Sequence, residues 1–396
     1  MIEVQPARGV GSAVALATER IVEPVEGMHR VIAGRWFGPL GVLGAPIHRA
    51  HGAIASAVYG SIRLGGDTVG VGLDKMITVE PGTADSIQAF VNGLWGDALG
   101  RRRERVVIRM AIRDDHGVPV TVGRDLAAAF PAATGRLVVL VHGLVETERC
   151  WYGTETEPGL AQALEGHADL TPVSIRYNSG LRVSANGSRL ASLLEKVHSE
   201  WPVSVQSIAL VGHSMGGLVI RSACEAARTA GHRWLDDVND VVTVAAPHRG
   251  SPLEKLANMT AFGLRVAPET RPLADFVNGR SVGIKDLRFG AIVEDDWSGA
   301  DPDALLRNTV GDHPLLPGIG HHFVAGVVTS NPTHPVGALV GDLVVRVASG
   351  TGGQHLEPGK VVVVGRKNHF DLIHDPEVID SVMGWLAAPL PRSDGR

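Results

Sequence analysis

From about residue 105 onward, short unbroken apolar runs alternate with stretches of helical periodicity. "RLVVLVHG", "PVSIRYNS", "SIALVGHS", "DVVTVAAPHRGS", "HHFVAGVVTS" and "VVVVGRKNH" read as strands. "PGLAQALEG", "GSRLASLLEKVHSEW", "GGLVIRSACEAARTAG" and "PEVIDSVMGWLA" read as the helices between and after them. Strands that are apolar on both faces and separated by helices predict an α/β fold: a mostly parallel sheet flanked by helices. "RVVIRMAIR" and "GVPVTVG" predict an opening pair of strands.

The first hundred residues carry a different pattern. "ERIVEPVEGMHRVIAGRWF" sets Ile21, Val25, Met28 and Ile32 near helical spacing, and "HRAHGAIASAVYGSI" and "ADSIQAFVNGLWGDAL" predict two more helices. The Gly- and Pro-containing stretches "GPLGVLGAP" and "RLGGDTVGVG" are expected to be the connectors. The expected organisation is a helical N-terminal region, 1–104, and a catalytic domain, 105–396. Residues 251–320 form a long insertion expected to be a cap or lid. Within it, Leu253, Leu256, Ala257, Met259 and Phe262 predict an amphipathic helix whose apolar side would wall an acyl-binding pocket.

Composition narrows the function. The 396 residues are 44% hydrophobic and 20% charged, with a formal charge of −5, which fits a globular chain and gives no basic excess for nucleic acid. Arg101-Arg102-Arg103 reads as a solvated strand end. Two cysteines, Cys150 and Cys224, cannot build a disulfide framework. No apolar run approaches the ~20 residues of a membrane-spanning helix. The N-terminus, with its early glutamate and Arg8, gives little support to a signal peptide. A cytoplasmic or loosely membrane-associated protein is the expectation.

The chemistry gathers at Gly212-His213-Ser214-Met215-Gly216, a G-x-S-x-G pattern with a strand before it and a helix after it. A sharp strand-to-helix turn strains the serine backbone and lifts its hydroxyl above the sheet. Side chains two residues to either side would collide, hence Gly212 and Gly216. The helix beyond points its first amides at the reacting oxygen, which favours an anionic intermediate. Ser214 is therefore the candidate nucleophile, and the Met215 amide one oxyanion donor. The second donor is expected on the loop after "LVVLVHG", where Leu144 N–H would face the cavity. Gly143 would permit close approach and His142 would orient the loop. Trp151 and Tyr152 are expected to wall the pocket or to pack against the cap.

The ordered set "VHG", "GHSMGG", "AAPHRGSPL", "GDLVVRVASG" and "NHFDLIHDPEV" resembles the α/β-hydrolase superfamily, and within it the bacterial lipases and esterases of the PGAP1-like group. The resemblance covers roughly residues 105–388. It implies the α/β-hydrolase fold and serine-dependent ester hydrolysis with the triad order Ser, Asp, His. Asp342, in Gly341-Asp342-Leu343-Val344-Val345, matches the family's acid segment, with Asp312 as runner-up. His369 follows the strand at 361–364 and stands in a loop of the kind that forms the crevice of such sheets. His374 precedes Asp375-Pro376, a good helix cap and first helical residue, so His369 is the expected base. Asp371 is too close along the chain to His369 to be its usual partner, and His248 comes before the acid.

His313, His321, His322 and His334 lie near one another but lack ligand spacing, and the chemistry needs neither metal nor cofactor. The substrate is expected to be a small-molecule or lipid ester, with peripheral contact with lipid surfaces through the apolar helices. Two alternatives stay open: acyl transfer by the same triad, and a non-catalytic hydrolase-like binding module.

Overall fold

The computed structural model describes residues 10–37, 41–76, 81–99, 106–154, 156–331, 334, 337, 340–352 and 359–388. Helices α1 (Val10–Phe37), α2 (Gly41–Met76) and α3 (Pro81–Leu99) come first. Strands β1 (Ala111–Arg113) and β2 (Pro119–Val120), the short helix α4 (Leu126–Ala129), β3 (Arg136–Val141), α5 (Leu160–Glu165), β4 (Thr171–Arg176), α6 (Val183–Glu200), β5 (Ser207–His213), α7 (Met215–Ala230) and β6 (Val238–Val244) follow. Then come α8 (Pro252–Leu264), α9 (Arg271–Asn278), α10 (Val282–Asp286), β7 (Gly320–Val327), α11 (Val347–Gly350), β8 (Val361–Gly365) and α12 (Pro376–Leu386).

Among the described residues, eight strands form one sheet in the order β2-β1-β4-β3-β5-β6-β7-β8. β1 runs antiparallel to both β2 and β4, and every other pairing is parallel. Successive residues of β3 explain the unbroken apolar runs. Leu137, Val139 and Val141 join one buried cluster with α6 and α7, while Val138 and Leu140 join another with α5 and α12. Both faces are covered, so neither parity of the strand can be polar. This is the α/β-hydrolase fold. From β3 the chain moves to β4 on one side, then returns to place β5 on the other. The loops after β3 and β5 therefore diverge at a switch point, where such sheets open a crevice.

The described N-terminal helices are not a separate appendage. Asn92 of α3 is fully buried; its amide donates to Val106 O at 2.7 Å and to Gln88 O at 2.8 Å, and its oxygen accepts from Ile108 N at 3.0 Å. Ser281 donates to Gly93 O and Leu94 O, and Asn178 donates to Gly96 O. Helix α1 lies against α9 so closely that a Cβ on Gly27 would stand 2.9 Å from Pro272.

Several expectations are corrected here. The expected strand "RVVIRMAIR" shortens to Ala111–Arg113, because the Asn92 side chain rather than a neighbouring strand takes Val106 O and Ile108 N. Most of the two expected connectors lie inside α2, which runs from Gly41 to Met76. Gly66 sits 2.9 Å (Cβ position) from Thr18, so small residues there serve close helix packing rather than a turn. Arg101-Arg102-Arg103 lie outside the described residues. Ile21, Val25 and Ile32 are exposed, and α1 buries Ala13, Ala15, Leu16 and Val22 instead.

Helix α8 forms as expected but turns the other way. Leu253, Leu256, Met259 and Phe262 are 57%, 59%, 50% and 53% exposed, while Glu254, Asn258 and Ala261 are buried. An ion cluster fixes that rotation: Glu254 accepts from Arg280 at 2.6 and 2.8 Å and from Arg288 at 3.0 Å. A buried carboxylate is tolerable only with such partners, so the helix must present Glu254 to them. Among the described residues, no helix is long and apolar enough to cross a membrane.

Replacing Asn92 by leucine removes the clip between α3 and residues 106–108 and leaves Ile108 N–H without its acceptor, while Val106 O keeps the Gln88 amide at 3.1 Å. The expected cost is about 3 kcal/mol in urea unfolding. An unchanged midpoint would show that the clip contributes nothing.

Candidate active site

Strand β5 ends at His213 and helix α7 begins at Met215, leaving one residue for the reversal. Ser214 takes φ 51° and ψ −121°, a backbone conformation that costs a non-glycine residue about 1–3 kcal/mol. It is held there by Ser214 N–H donating to Val244 O at 2.8 Å. The flanking glycines have steric causes. A Cβ on Gly216 would lie 2.1 Å from Val141 O, and one on Gly212 would lie 2.6 Å from Gly217 N.

Three candidate side chains from separate loops meet at this turn. Ser214 Oγ lies 2.8 Å from His369 Nε2, and His369 Nδ1 lies 2.9 Å from Asp342 Oδ2. All three residues are buried, with Ser214 at 6% exposure. Asp342 stands in a tight turn beyond β7. Its Oδ1 accepts from Val344 N at 3.0 Å and Val345 N at 2.8 Å, and His369 N donates to Asp342 O. Gly341 is in the left-handed region at φ 67°, where a Cβ would strike Val345 O at 1.9 Å. With Asp342 accepting at Nδ1–H, His369 keeps its Nε2 lone pair toward the serine hydroxyl.

The loop after β3 is pinned peptide by peptide. Gly143 N donates to Glu146 Oε2 at 2.7 Å, and Gly143 O lies 2.8 Å from His142 Nδ1. Because the peptide is planar and trans, fixing Gly143 O on one side points Leu144 N–H to the other. Val145 N donates to Ser179 Oγ at 3.1 Å, with Val145 at φ 58°. Met215, first in α7, carries one of the amides that a helix N-terminus leaves without an internal acceptor. A Cβ on Gly143 would stand 3.0 Å from Ser214 Cβ, so this loop and the Ser214 turn touch.

His142 is fully buried and stacks on Tyr177 at 4.4 Å. Tyr177 N donates to its Nε2 at 3.2 Å, and Tyr177 OH donates to its carbonyl at 2.9 Å. Burial holds its pKa below the ordinary value, so it serves as neutral donor at Nδ1 and acceptor at Nε2.

Two residues missed in the sequence stand behind the site. His213 Nδ1 lies 2.9 Å from Glu146 Oε2, and His213 Nε2 lies 3.2 Å from His369 O. Burial alone would push the Glu146 carboxyl up. The His213 charge and hydrogen bond and the Gly143 amide outweigh it and hold the group down at about 2. Burial likewise pulls His213 down, and Glu146 more than reverses that, leaving its pKa raised. In sequence, His213 stands inside the G-x-S-x-G pattern and interrupts an apolar strand, whereas Glu146, three residues past Gly143, carries no signal.

The competing candidates lie elsewhere. Asp312 is exposed, on the segment before β7, and His374 is exposed ahead of α12. Asp371 accepts from the Asn368 amide at 2.6 Å. His248 is bonded to Thr243 at 3.1 Å, its pKa pulled down to about 3 by burial and by Arg221. Among the other histidines, His313 is bonded to Asp296 and His322 to Asp240. Trp151 is no pocket wall: it is buried beneath the sheet with Leu160 and Leu164, and Tyr152 packs at that cluster's edge. A cavity of about 1000 Å³ lined by α6, α7 and residues 292–297 contains none of Ser214, Asp342 and His369.

Residues 187–309 match the family described as the PGAP1-like alpha/beta domain. The matched segment runs from α6 through the Ser214 turn into the insertion; Asp342 and His369 lie beyond it. No curated protein matches the chain. Similar solved structures include the mature lipase BlEst2 of Bacillus licheniformis, at 19% identity over 70% of this chain and 98% of that one, TM-score 0.43. A lipase-esterase related protein of Clostridium acetobutylicum aligns at 13% identity over 70% and 98%, TM-score 0.38. A metagenomic carboxyl esterase aligns at 14% over 64% and 76%, TM-score 0.39.

The Glu146–His213 pair sets a pH signature. The folded-state value of about 2 for Glu146 lies below its ordinary 4.5, so its stabilisation is present above about pH 4.5 and is lost as pH falls toward 2. His213 is shifted upward, so its share is present below its ordinary value and is lost as pH rises through the raised one. The unfolding free energy of the wild type minus that of Glu146→Gln is therefore expected to be largest in mildly acidic solution and to shrink at both extremes. A difference independent of pH would contradict the charged pair.

Proposed function

We propose that this chain is a serine hydrolase of carboxylic esters that works through an acyl-enzyme. The observation that carries the reading is the unbroken hydrogen-bonded line from Asp342 through His369 to Ser214 Oγ, at 2.9 and 2.8 Å. In this reading His369 takes the Ser214 proton as Oγ attacks the ester carbonyl, and the carbonyl oxygen becomes an oxyanion facing Leu144 N–H and Met215 N–H. Collapse expels the alcohol, which receives the proton from His369. Water then attacks the acyl-serine by the same steps in reverse, releasing the acid. Asp342 holds the imidazole in its working tautomer. His142, Gly143, Gly212 and Gly216 shape the two loops. The division into a helical region, 1–104, and a catalytic unit, 105–396, capped by 251–320, belongs to the same proposal.

Support for a lipid ester comes from the outward face of the cap. Leu253, Leu256, Met259 and Phe262 are exposed along one helix, and Ile21, Val25, Ile32 and Trp36 are exposed along α1, which packs on α9. Such stripes fit transient contact with a lipid aggregate.

Ser214→Ala is expected to fold normally and to lose esterase turnover by several powers of ten. Asp342→Asn should lower kcat with little change in binding, while Asp312→Asn stays active. His369→Ala should be nearly inactive and His374→Ala substantially active, at matched thermal stability. The reverse ranking of either pair would reassign that role. The ratio of emulsified to soluble ester turnover should fall several-fold when Leu256 and Met259 are replaced by serine; an unchanged ratio removes the lipid contact.

A further inference from the structure

His213 is buried and Glu146 is largely covered, and neither is hydrogen-bonded to Ser214 Oγ. Their own bonds nevertheless join the two halves of the site. One carboxylate oxygen, Glu146 Oε2, accepts from Gly143 N at 2.7 Å and from His213 Nδ1 at 2.9 Å. On its other side, His213 Nε2 meets His369 O at 3.2 Å, and the two imidazole rings stand 5.0 Å apart. A carbonyl oxygen can only accept, so His213 Nε2 must carry a proton. With Glu146 a carboxylate, Nδ1 must carry one too. His213 is therefore an imidazolium, paired with a carboxylate and donating on both sides.

We propose that Glu146 and His213 act as one positioning unit that fixes the oxyanion loop relative to the histidine base. The inference deepens the reading of Ser214 as nucleophile and rests on it. Gly143 N–H belongs to the peptide before the one whose N–H is the Leu144 donor. His369 O belongs to the backbone that carries the base. A single charged bridge thus sets the distance between the group that takes the proton and the group that receives the developing negative charge. That distance has to be held within a fraction of an ångström for both to act in one transition state.

The bridge also explains why an acid is needed and not merely a hydrogen-bonding side chain. A glutamine at 146 can place its oxygen where Oε2 stands and keep Gly143 N–H and His213 Nδ1–H. A neutral His213 then has no proton left for His369 O. Turned the other way, the glutamine amide can donate to Nδ1, and His369 O keeps its donor, but Gly143 N–H loses its acceptor. In either arrangement with a neutral His213, one of the three bonds is lost. His142 and Cys150 also face Glu146, and Asp342 lies near His213, yet none of these supplies the missing bond.

The test compares the full-length wild type with Glu146→Gln, His213→Gln and the double variant. Competent sites are counted by titration with a fluorophosphonate, and turnover of a soluble aryl ester is expressed per titrated site. Loss of folded protein lowers the number of sites without lowering kcat per site, so a purely structural role is separated from a positioning one. Each single variant is expected to lose roughly 30-fold or more in kcat per site, less than the ~10²–10³ that removing a whole oxyanion donor costs. KM should change little, and affinity for a boronic acid that forms the tetrahedral adduct should fall in parallel with kcat. The double variant should be no worse than the weaker single, because breaking either member breaks the bridge. Unchanged kcat per site in either single variant, or losses that multiply in the double, overturns the inference while leaving the Ser214 reading intact. Failure of the fluorophosphonate to label the wild type overturns the Ser214 reading and this inference with it.

Discussion

The chain passes from strand β5 into helix α7 through one residue, and that residue has to sit at φ 51°. The strain is held by a hydrogen bond to Val244 O from one side and by the close approach of α7 to the end of β3 from the other. The approach is possible only because Gly212 and Gly216 have no side chains. It brings the first amides of α7 beside the loop that follows β3. Everything else at the site is arranged around that meeting. Gly143 lets the loop touch Ser214, His142 turns its peptide, and Glu146 with His213 braces it from behind.

The remaining parts arrive from the far side of the sheet order. Asp342 follows β7 and His369 follows β8, so the candidate acid and base reach Ser214 from neighbouring parallel strands. Asp342 is held by the amides of Val344 and Val345, and the His369 amide donates to the Asp342 carbonyl, so the two are tied to each other directly. Such geometry costs little reorganisation when charge develops, which is where electrostatic catalysis gains most.

The sheet and the candidate site were readable in the sequence for a physical reason. Strands covered on both faces show as unbroken apolar runs, and a sharp strand-to-helix turn shows as glycines at fixed spacing. Asp342 and His369 are 128 and 155 residues from Ser214 and were reachable through the order of segments, not through local pattern. What escaped is instructive. Helix α8 has the amphipathic spacing expected of it, yet Glu254 and its two arginines turn that face to solvent. Gly65-Gly66 in α2 read as a break because a local pattern does not show Thr18 lying against Gly66. Glu146 carries no motif, and only the folded chain brings it to Gly143 and His213.

A fluorophosphonate carried through proteolysis and peptide mass mapping tests the central claim most directly. The account predicts one adduct per chain, on the peptide that contains Ser214, and none when His369 is replaced by alanine under the same short exposure. An adduct on any other residue, or labelling of Ser214 that is indifferent to His369, would contradict it.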